Sequence, residues 1–266
     1  MRGFVVILLY LAAVAASAHA ARRDSGRVAL REPALYLAGA AWLAHALWLA
    51  STLRPFGEIA MGLADSASLM GLVIGAGGLF ALVSPRYRVV AAIVLGLAAL
   101  LAAGTGSLPQ PHEIAQAGWP LATHVVLAMG SAGMFAVAAV LVVLLAVQDG
   151  QLRGKRPAAW LASLPPVESL EVALFTVIGT GMAALTVAIL AGLLFVTDLF
   201  QQHLVHKTIL ALAAWLIFAV LLVGRWRFGW RGRKAAACTL AGFVVLALAY
   251  FGSKFVLEIL LGRHWG

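Results

Sequence analysis

Charge is scarce in this chain. Only 11% of its 266 residues are charged, and 63% are hydrophobic. An ordinary soluble domain carries about 25% charged residues. The mean hydropathy is +1.00. A soluble fold of this size has no room to hide so much apolar surface, so the solvent is lipid. Cysteine is also nearly missing. The single Cys238 excludes an internal disulfide, a cysteine-based metal cluster and a Cys-x-x-Cys-His haem-attachment signature. It stands in an apolar stretch, where a thiol behaves as a small inert hydrophobe. Motifs for hydrolytic or nucleotide chemistry are lacking: there is no Gly-x-Ser-x-Gly, no Walker loop and no His-Glu-x-x-His. Carboxylates number ten, and all but Glu258 fall in loops or at helix ends. A proton relay of paired mid-membrane carboxylates therefore has no residues to use. The net charge of +9 does not point to nucleic acid, because the basic runs are short and carry no interleaved aromatics.

What remains is apolar sequence in blocks. Segments at about 3–20, 34–53, 60–84, 89–104, 118–147, 170–197, 208–224 and 235–261 are nearly free of charge. A spanning helix needs about 20 apolar residues. Helices are required, because an open strand in lipid leaves backbone groups unpaired. No alternation of period two argues for a barrel. The expected fold class is all-α: a polytopic transmembrane helical bundle of about eight spans, forming one integral membrane domain over residues 1–266.

The cations give this bundle a direction. Fourteen of the nineteen Lys and Arg residues fall between spans one and two (Arg22, Arg23, Arg27, Arg31), three and four (Arg86, Arg88), five and six (Arg153, Lys155, Arg156) and seven and eight (Arg225, Arg227, Arg231, Arg233, Lys234). The opposite side holds Arg2, Arg54, Lys207, Lys254 and Arg263. The positive-inside rule puts the richer side in the cytoplasm, with both termini outward. Val5 to Ala16 followed by Ala18-His19-Ala20 mimics a signal-peptide core and cleavage site. The arginines that follow at once resist export, so an uncleaved first span is expected. Gly71 with Gly75, and Gly179, Gly181 and Ala184, have the small-residue spacing common to helical bundles. No internal repeat is visible. Glu168 and Glu171 follow Pro165-Pro166 and read as favourable charge at a helix N-terminus.

Histidine is the remaining ligand-bearing residue. His45 falls near the middle of span two, where an imidazole must meet a polar group, a ligand or a cavity. His124 opens span five. His203 and His206 open span seven, on one helix face. His112 falls in the loop before span five, and His264 near the C-terminus. Five of the seven histidines thus lie on or near the expected outer face. Singly, each reads as an ordinary interfacial histidine. His124 and His206 together read differently, as first-turn residues of helices entering from one side and able to face one another. Neutral imidazole is a standard axial ligand of haem iron.

Several segments then resemble one family in order. Thr123-His124 through Gln148-Asp149 resembles the His-led helix of cytochrome c assembly proteins of the CcsA/HemX type. Leu164-Pro165-Pro166-Val167-Glu168-Ser169-Leu170-Glu171 is similar to a Leu-Pro-Pro-x-Glu-Ser-Leu-Glu segment of that family. His206-Lys207-Thr208, Trp215-Leu216, Gly229-Trp230-Arg231-Gly232-Arg233 and Tyr250-Phe251-Gly252-Ser253-Lys254-Phe255 continue it. The resemblance covers most of the chain and is nearest to the YpjD-like inner-membrane branch. It implies a multi-pass protein of the bacterial cytoplasmic (inner) membrane that binds or handles haem beside other cytochrome c maturation proteins. It carries His124 over as an external haem histidine. His264 stands close to the family's second external histidine but out of register, and His45 corresponds to an intramembrane haem histidine. His206 falls where the family pattern has proline, so its part as second iron ligand comes from position alone. The family's tryptophan-rich loop is reduced here to Leu204-Val205-His206-Lys207-Thr208-Ile209. Catalysis of thioether formation is therefore not expected. Two readings without haem stay open from the residues: a small-solute or ion transporter or its accessory subunit, and a structural partner of another membrane complex.

Overall fold

The computed structural model describes residues 2–22, 32–52, 63–104, 119–153, 163–195 and 202–252. Eight helices in them are long and apolar enough to cross a membrane. They are α1 (Arg2–Arg22), α2 (Glu32–Thr52), α3 (Leu63–Leu82), α4 (Arg88–Ala103), α5 (Trp119–Arg153), α6 (Val167–Phe195), α7 (Gln202–Phe228) and α8 (Gly232–Ala247). A short 3-10 turn, Pro85–Tyr87, leads into α4, and α8 continues as a wider turn over Leu248–Gly252. No strand occurs among the described residues. The expected all-α, eight-span bundle is thus the fold.

Several helices outrun their apolar cores. The apolar stretch 208–224 lies inside a helix that begins at Gln202 and ends at Phe228. At 35 residues, α5 is about 52 Å long, against a hydrocarbon layer of about 30 Å. Its ends therefore reach past the lipid core, which is where Gln148, Asp149 and Arg153 stand.

The packing resolves into two units that no sequence repeat announces. In the first, α1 packs on α2 and α4, and α3 packs on the same two helices. In the second, α5 packs on α6 and α8, and so does α7. Each run of four consecutive helices closes a ring, and α3 against α5 is the main seam between the rings.

The two ring centres differ in chemistry. In the second, Phe135 of α5 stacks on Phe218 of α7, with centroids 3.7 Å apart and planes 12° from parallel. Gly181 of α6 borders the Phe135 ring, and Gly242 of α8 borders the Phe218 ring. The missing side chains on one diagonal make room for the aromatic rings on the other. In the first ring, Tyr10 of α1 fills the centre against Gly75 of α3. Lipid tails are as apolar as these side chains, so close packing rather than hydrophobic transfer holds such helices together.

The basic end carries a second tie between the rings. The Tyr87 hydroxyl donates to the Ser169 carbonyl at 2.9 Å. Glu171, read from sequence as a helix-start charge, also takes Arg225 at 3.7 Å and Arg231 at 3.6 Å. Those two arginines flank the turn between α7 and α8. There Gly229 (φ 64°) and Gly232 (φ 55°) adopt the left-handed backbone that favours glycine. The Gly229 N–H donates to the Arg225 carbonyl at 3.1 Å and caps α7.

At the α3–α5 seam, a Cβ added at Gly133 would stand 2.9 Å from Val73 Cβ and 3.0 Å from the Met70 carbonyl oxygen. At Gly130, one turn earlier, it would meet nothing within 4 Å. Gly133→Leu is expected to part the two rings and destabilise the protein by about 1–3 kcal/mol. Gly130→Ala is expected to be neutral or slightly stabilising. Thermal unfolding of both variants in one detergent checks this, and equal behaviour would place the seam elsewhere.

Candidate functional site

His124 lies in the second turn of α5, half-buried against α6. Its Nδ1 stands 2.7 Å from the Ala188 carbonyl oxygen. A carbonyl can only accept, so Nδ1 carries the proton and donates it. In the neutral ring, Nε2 then keeps its lone pair. This is the arrangement by which a ligating histidine is fixed in tautomer and orientation. Gly192, one turn further along α6, backs the ring. A Cβ there would stand 2.9 Å from His124 Cε1 and 3.2 Å from Nδ1. The partner is a backbone oxygen and the support is an absent side chain, so neither has a sequence signature.

His45 is fully buried in the first ring. Its Nε2 stands 2.8 Å from Ser68 Oγ, and its Nδ1 stands 3.2 Å from the Tyr10 hydroxyl. Tyr10 meets the imidazole edge-on, and Trp48 lies tilted beside it. Trp42, nearly one turn earlier, donates Nε1–H to the Leu72 carbonyl at 2.9 Å. Three helices thus satisfy both ring nitrogens, and iron coordination by His45 requires one of these hydrogen bonds to open. The expectation that a mid-span histidine meets polar groups is met by Tyr10 and Ser68, which sequence reading did not single out.

His206 is exposed on α7. It stands at the same end of the second ring as His124, on the diagonally opposite helix. The levels follow from contacts with α6. Trp215 Nε1–H donates to Thr186 Oγ1 at 2.9 Å, so Trp215 is almost level with Ala188. His206 lies nine residues before Trp215, roughly 13 Å along the helix. It therefore stands nearer the end of the unit than His124. Among the described residues no hydrogen bond or ring contact links the two imidazoles. The backbone of His203 belongs to α7. His112 and His264 lie outside the described residues. No group of three or more His, Cys, Asp or Glu side chains able to hold a metal occurs among the described residues.

A small apolar cluster lies between the rings at this end. Leu49 of α2, Leu69 of α3, Ala128 and Met129 of α5 and Ala188 of α6 are buried together. Leu49 is one turn beyond His45, Leu69 follows Ser68, and Ala128 is one turn beyond His124. Tyr250 packs against it. The Ser131 hydroxyl donates to the Ala128 carbonyl at 2.8 Å. The two buried or half-buried histidines thus flank one apolar seam, from opposite rings.

A bundle of eight spans, with a fixed histidine tautomer at one end, is the architecture to set beside known proteins. The family described as Cytochrome C assembly protein matches residues 37–261, and the chain belongs to that family. It is 35% identical over 137 residues to the Inner membrane protein YpjD of Escherichia coli (strain K12), covering 52% of each chain. It is 31% identical over 157 residues to an uncharacterized 28.8 kDa protein of Azospirillum brasilense, covering 57% of this chain and 58% of that one. It is 35% identical over 112 residues to the Cytochrome c biogenesis protein CcsA of Microcystis aeruginosa, covering 40% of this chain and 34% of that one. The chain therefore spans about half the length of the first of these relatives and about a third of the last. No solved structure matches. Family membership, the eight spans and the inner-membrane relative together make the chain a multi-pass inner-membrane protein.

The buried His45 triad makes a stability prediction. His45→Leu leaves the Tyr10 and Ser68 hydroxyls without their shared partner. It is expected to cost about 1 kcal/mol, within the range for lost membrane hydrogen bonds. Adding Tyr10→Phe and Ser68→Ala to that variant removes the orphaned groups and is expected to recover most of the loss. Unfolding midpoints of the single and triple variants decide it, and a triple variant weaker than the single one contradicts the shared-partner account.

Proposed function

We propose that this protein handles haem in cytochrome c maturation and holds it at the end of the second ring through His124. Membership of the cytochrome c assembly family supports a role in cytochrome c biogenesis. The single observation that carries the haem reading is the His124 Nδ1–H bond to the Ala188 carbonyl. It presents Nε2 as a neutral imidazole donor, the form that haem iron takes as an axial ligand. The donor chemistry at this end therefore suits the group. Bound haem would supply a redox-active iron centre in a large apolar macrocycle, and His124 would hold it through Nε2. Leu69, Met129 and Val125 nearby are apolar enough for such a ring.

His206 is the proposed second ligand, from its exposure at the same end. His45 is a lower site, open to iron only once Tyr10 or Ser68 releases a ring nitrogen. His264 keeps a supporting part through the family likeness. The other maturation proteins are the proposed partners. Thioether formation is assigned to no residue of this chain. A transport reading would lean on His45, whose two nitrogens are already engaged.

Purified protein is expected to show a Soret band. His124→Gly is expected to lose most of it and to regain it with added imidazole. His206→Ala is expected to shift the band or weaken it several-fold. Gly192→Val, which displaces the ring without removing it, is expected to lower haem content as His124→Gly does. Equal haem content in wild type and His124→Gly would sink the ligand assignment.

The outward placement of this end rests on the cation asymmetry. Alkaline phosphatase fused to the C-terminus is expected to be active, and a fluorescent protein fused there dark. The reverse pair would put the His124 end in the cytoplasm.

A further inference from the structure

At the basic end, opposite His124, a cavity of about 380 Å³ opens between the two rings. Ala21 at the close of α1, Ser84, Pro85, Arg86 and Arg88 of the α3–α4 turn, and Ser163 and Leu164 ahead of α6 line it. Arg88 is the unusual member. It is only 6% exposed. Its Nη1–H donates to the Ala20 carbonyl at 3.2 Å, and its Nε–H, fully buried, has no partner. A buried cation needs a counter-charge or a full set of hydrogen bonds. Among the described residues neither Arg86 nor Arg88 has an ion pair. Of the acidic side chains described at this end, Asp149 holds Arg153 and Glu171 holds Arg225 and Arg231. Glu168 is exposed, and Asp24 lies outside the described residues.

We propose that this cavity is a binding site for a phosphate group, and that its occupant is the head group of an anionic phospholipid. The Arg88 guanidinium lines the cavity and offers its charge to a phosphate group there, a match of planar fork to tetrahedral anion. Arg86, exposed at the same rim, adds the second charge, and the Ser84 hydroxyl adds a neutral donor. The location favours lipid over a soluble source. The cavity stands where α1 ends and α4 begins, at the level of head groups. Basic pockets between spans on the cytoplasmic side are typical head-group sites. One occupant would touch both rings and brace them at the end where Tyr87 already ties them.

The test uses the full chain in neutral detergent, with lipid retention read by native mass spectrometry and stability by thermal unfolding. Wild type is expected to retain phosphatidylglycerol in preference to phosphatidylcholine and to be stabilised by adding it. Arg88→Gln is expected to weaken that response about tenfold, the loss of one charge-assisted contact. Arg86→Gln, on an exposed residue, is expected to weaken it about threefold with the fold intact, and it keeps the test decisive if Arg88→Gln does not fold. Arg153→Gln, at the same end but paired to Asp149, is the control and is expected to change nothing. Stabilisation by inorganic phosphate that equals that of the lipid, and that Arg86→Gln weakens, supports the phosphate site and overturns the lipid occupant. Equal response to both lipids in wild type, or an unchanged preference in Arg86→Gln and Arg88→Gln, overturns the site.

Discussion

Everything in this protein follows from a backbone that cannot be left unpaired in hydrocarbon. Each span must satisfy its own N–H and C=O groups, so each is a helix. Once the helices exist, lipid gives them no hydrophobic reason to associate. Association falls to fit. Here the fit is made by pairing an absent side chain with a large one: Gly75 with Tyr10, Gly242 with Phe218, Gly192 with His124. The last pair shows how packing becomes chemistry. The same close approach that lets α6 touch α5 brings the Ala188 carbonyl within 2.7 Å of Nδ1 and so sets which nitrogen keeps its lone pair.

The two rings solve one problem with different materials. The first fills its centre with a hydrogen-bonded chain, Tyr10–His45–Ser68, drawn from three helices. The second fills it with two stacked phenyl rings. A polar chain specifies geometry strongly, because each member left unpaired is costly. A stacked aromatic pair tolerates sliding. The first ring is therefore built to hold one arrangement, while the second leaves its histidine at the rim, held by a single hydrogen bond. The seam between them, at Gly133 against Val73 and Met70, joins a unit centred on a polar chain to one centred on an aromatic stack.

Much of the fold was legible from residues alone, because length and apolarity are local properties. The eight spans came from runs such as 170–197, and the structure moved their ends by a few residues. Gln202 starts α7 earlier than the apolar run because polar residues continue a helix past the lipid core at no cost. The rings were not legible. Closing α1 onto α4 and α5 onto α8 is a long-range packing choice, and small residues that permit it occur in every span. The site was legible by half. His45 was visible as a residue needing a partner, and His124 as a histidine at the start of span five. Their partners were not, since a backbone carbonyl has no signature and Tyr10 and Ser68 stand on other helices. Arg86 and Arg88 look alike in sequence, as two loop cations. Only the fold separates them, leaving Arg86 in solvent and turning Arg88 inward.

That separation bears on how the two ends of the molecule relate. An arginine within the membrane protein's interior is tolerated only where something answers its charge. Along the turn Pro85–Tyr87, Arg88 leans on the Ala20 carbonyl of α1 while Tyr87 reaches the Ser169 carbonyl of α6. Adjacent residues thus grip opposite rings. Because α1 carries both Ala20 and Tyr10, the segment that meets Arg88 is continuous with the one that meets His45 Nδ1. The Tyr10–His45 bond, at 3.2 Å, is the longer of the two on that imidazole, so the contact with α1 is the weaker hold on His45 and the Ser68 contact with α3 the stronger.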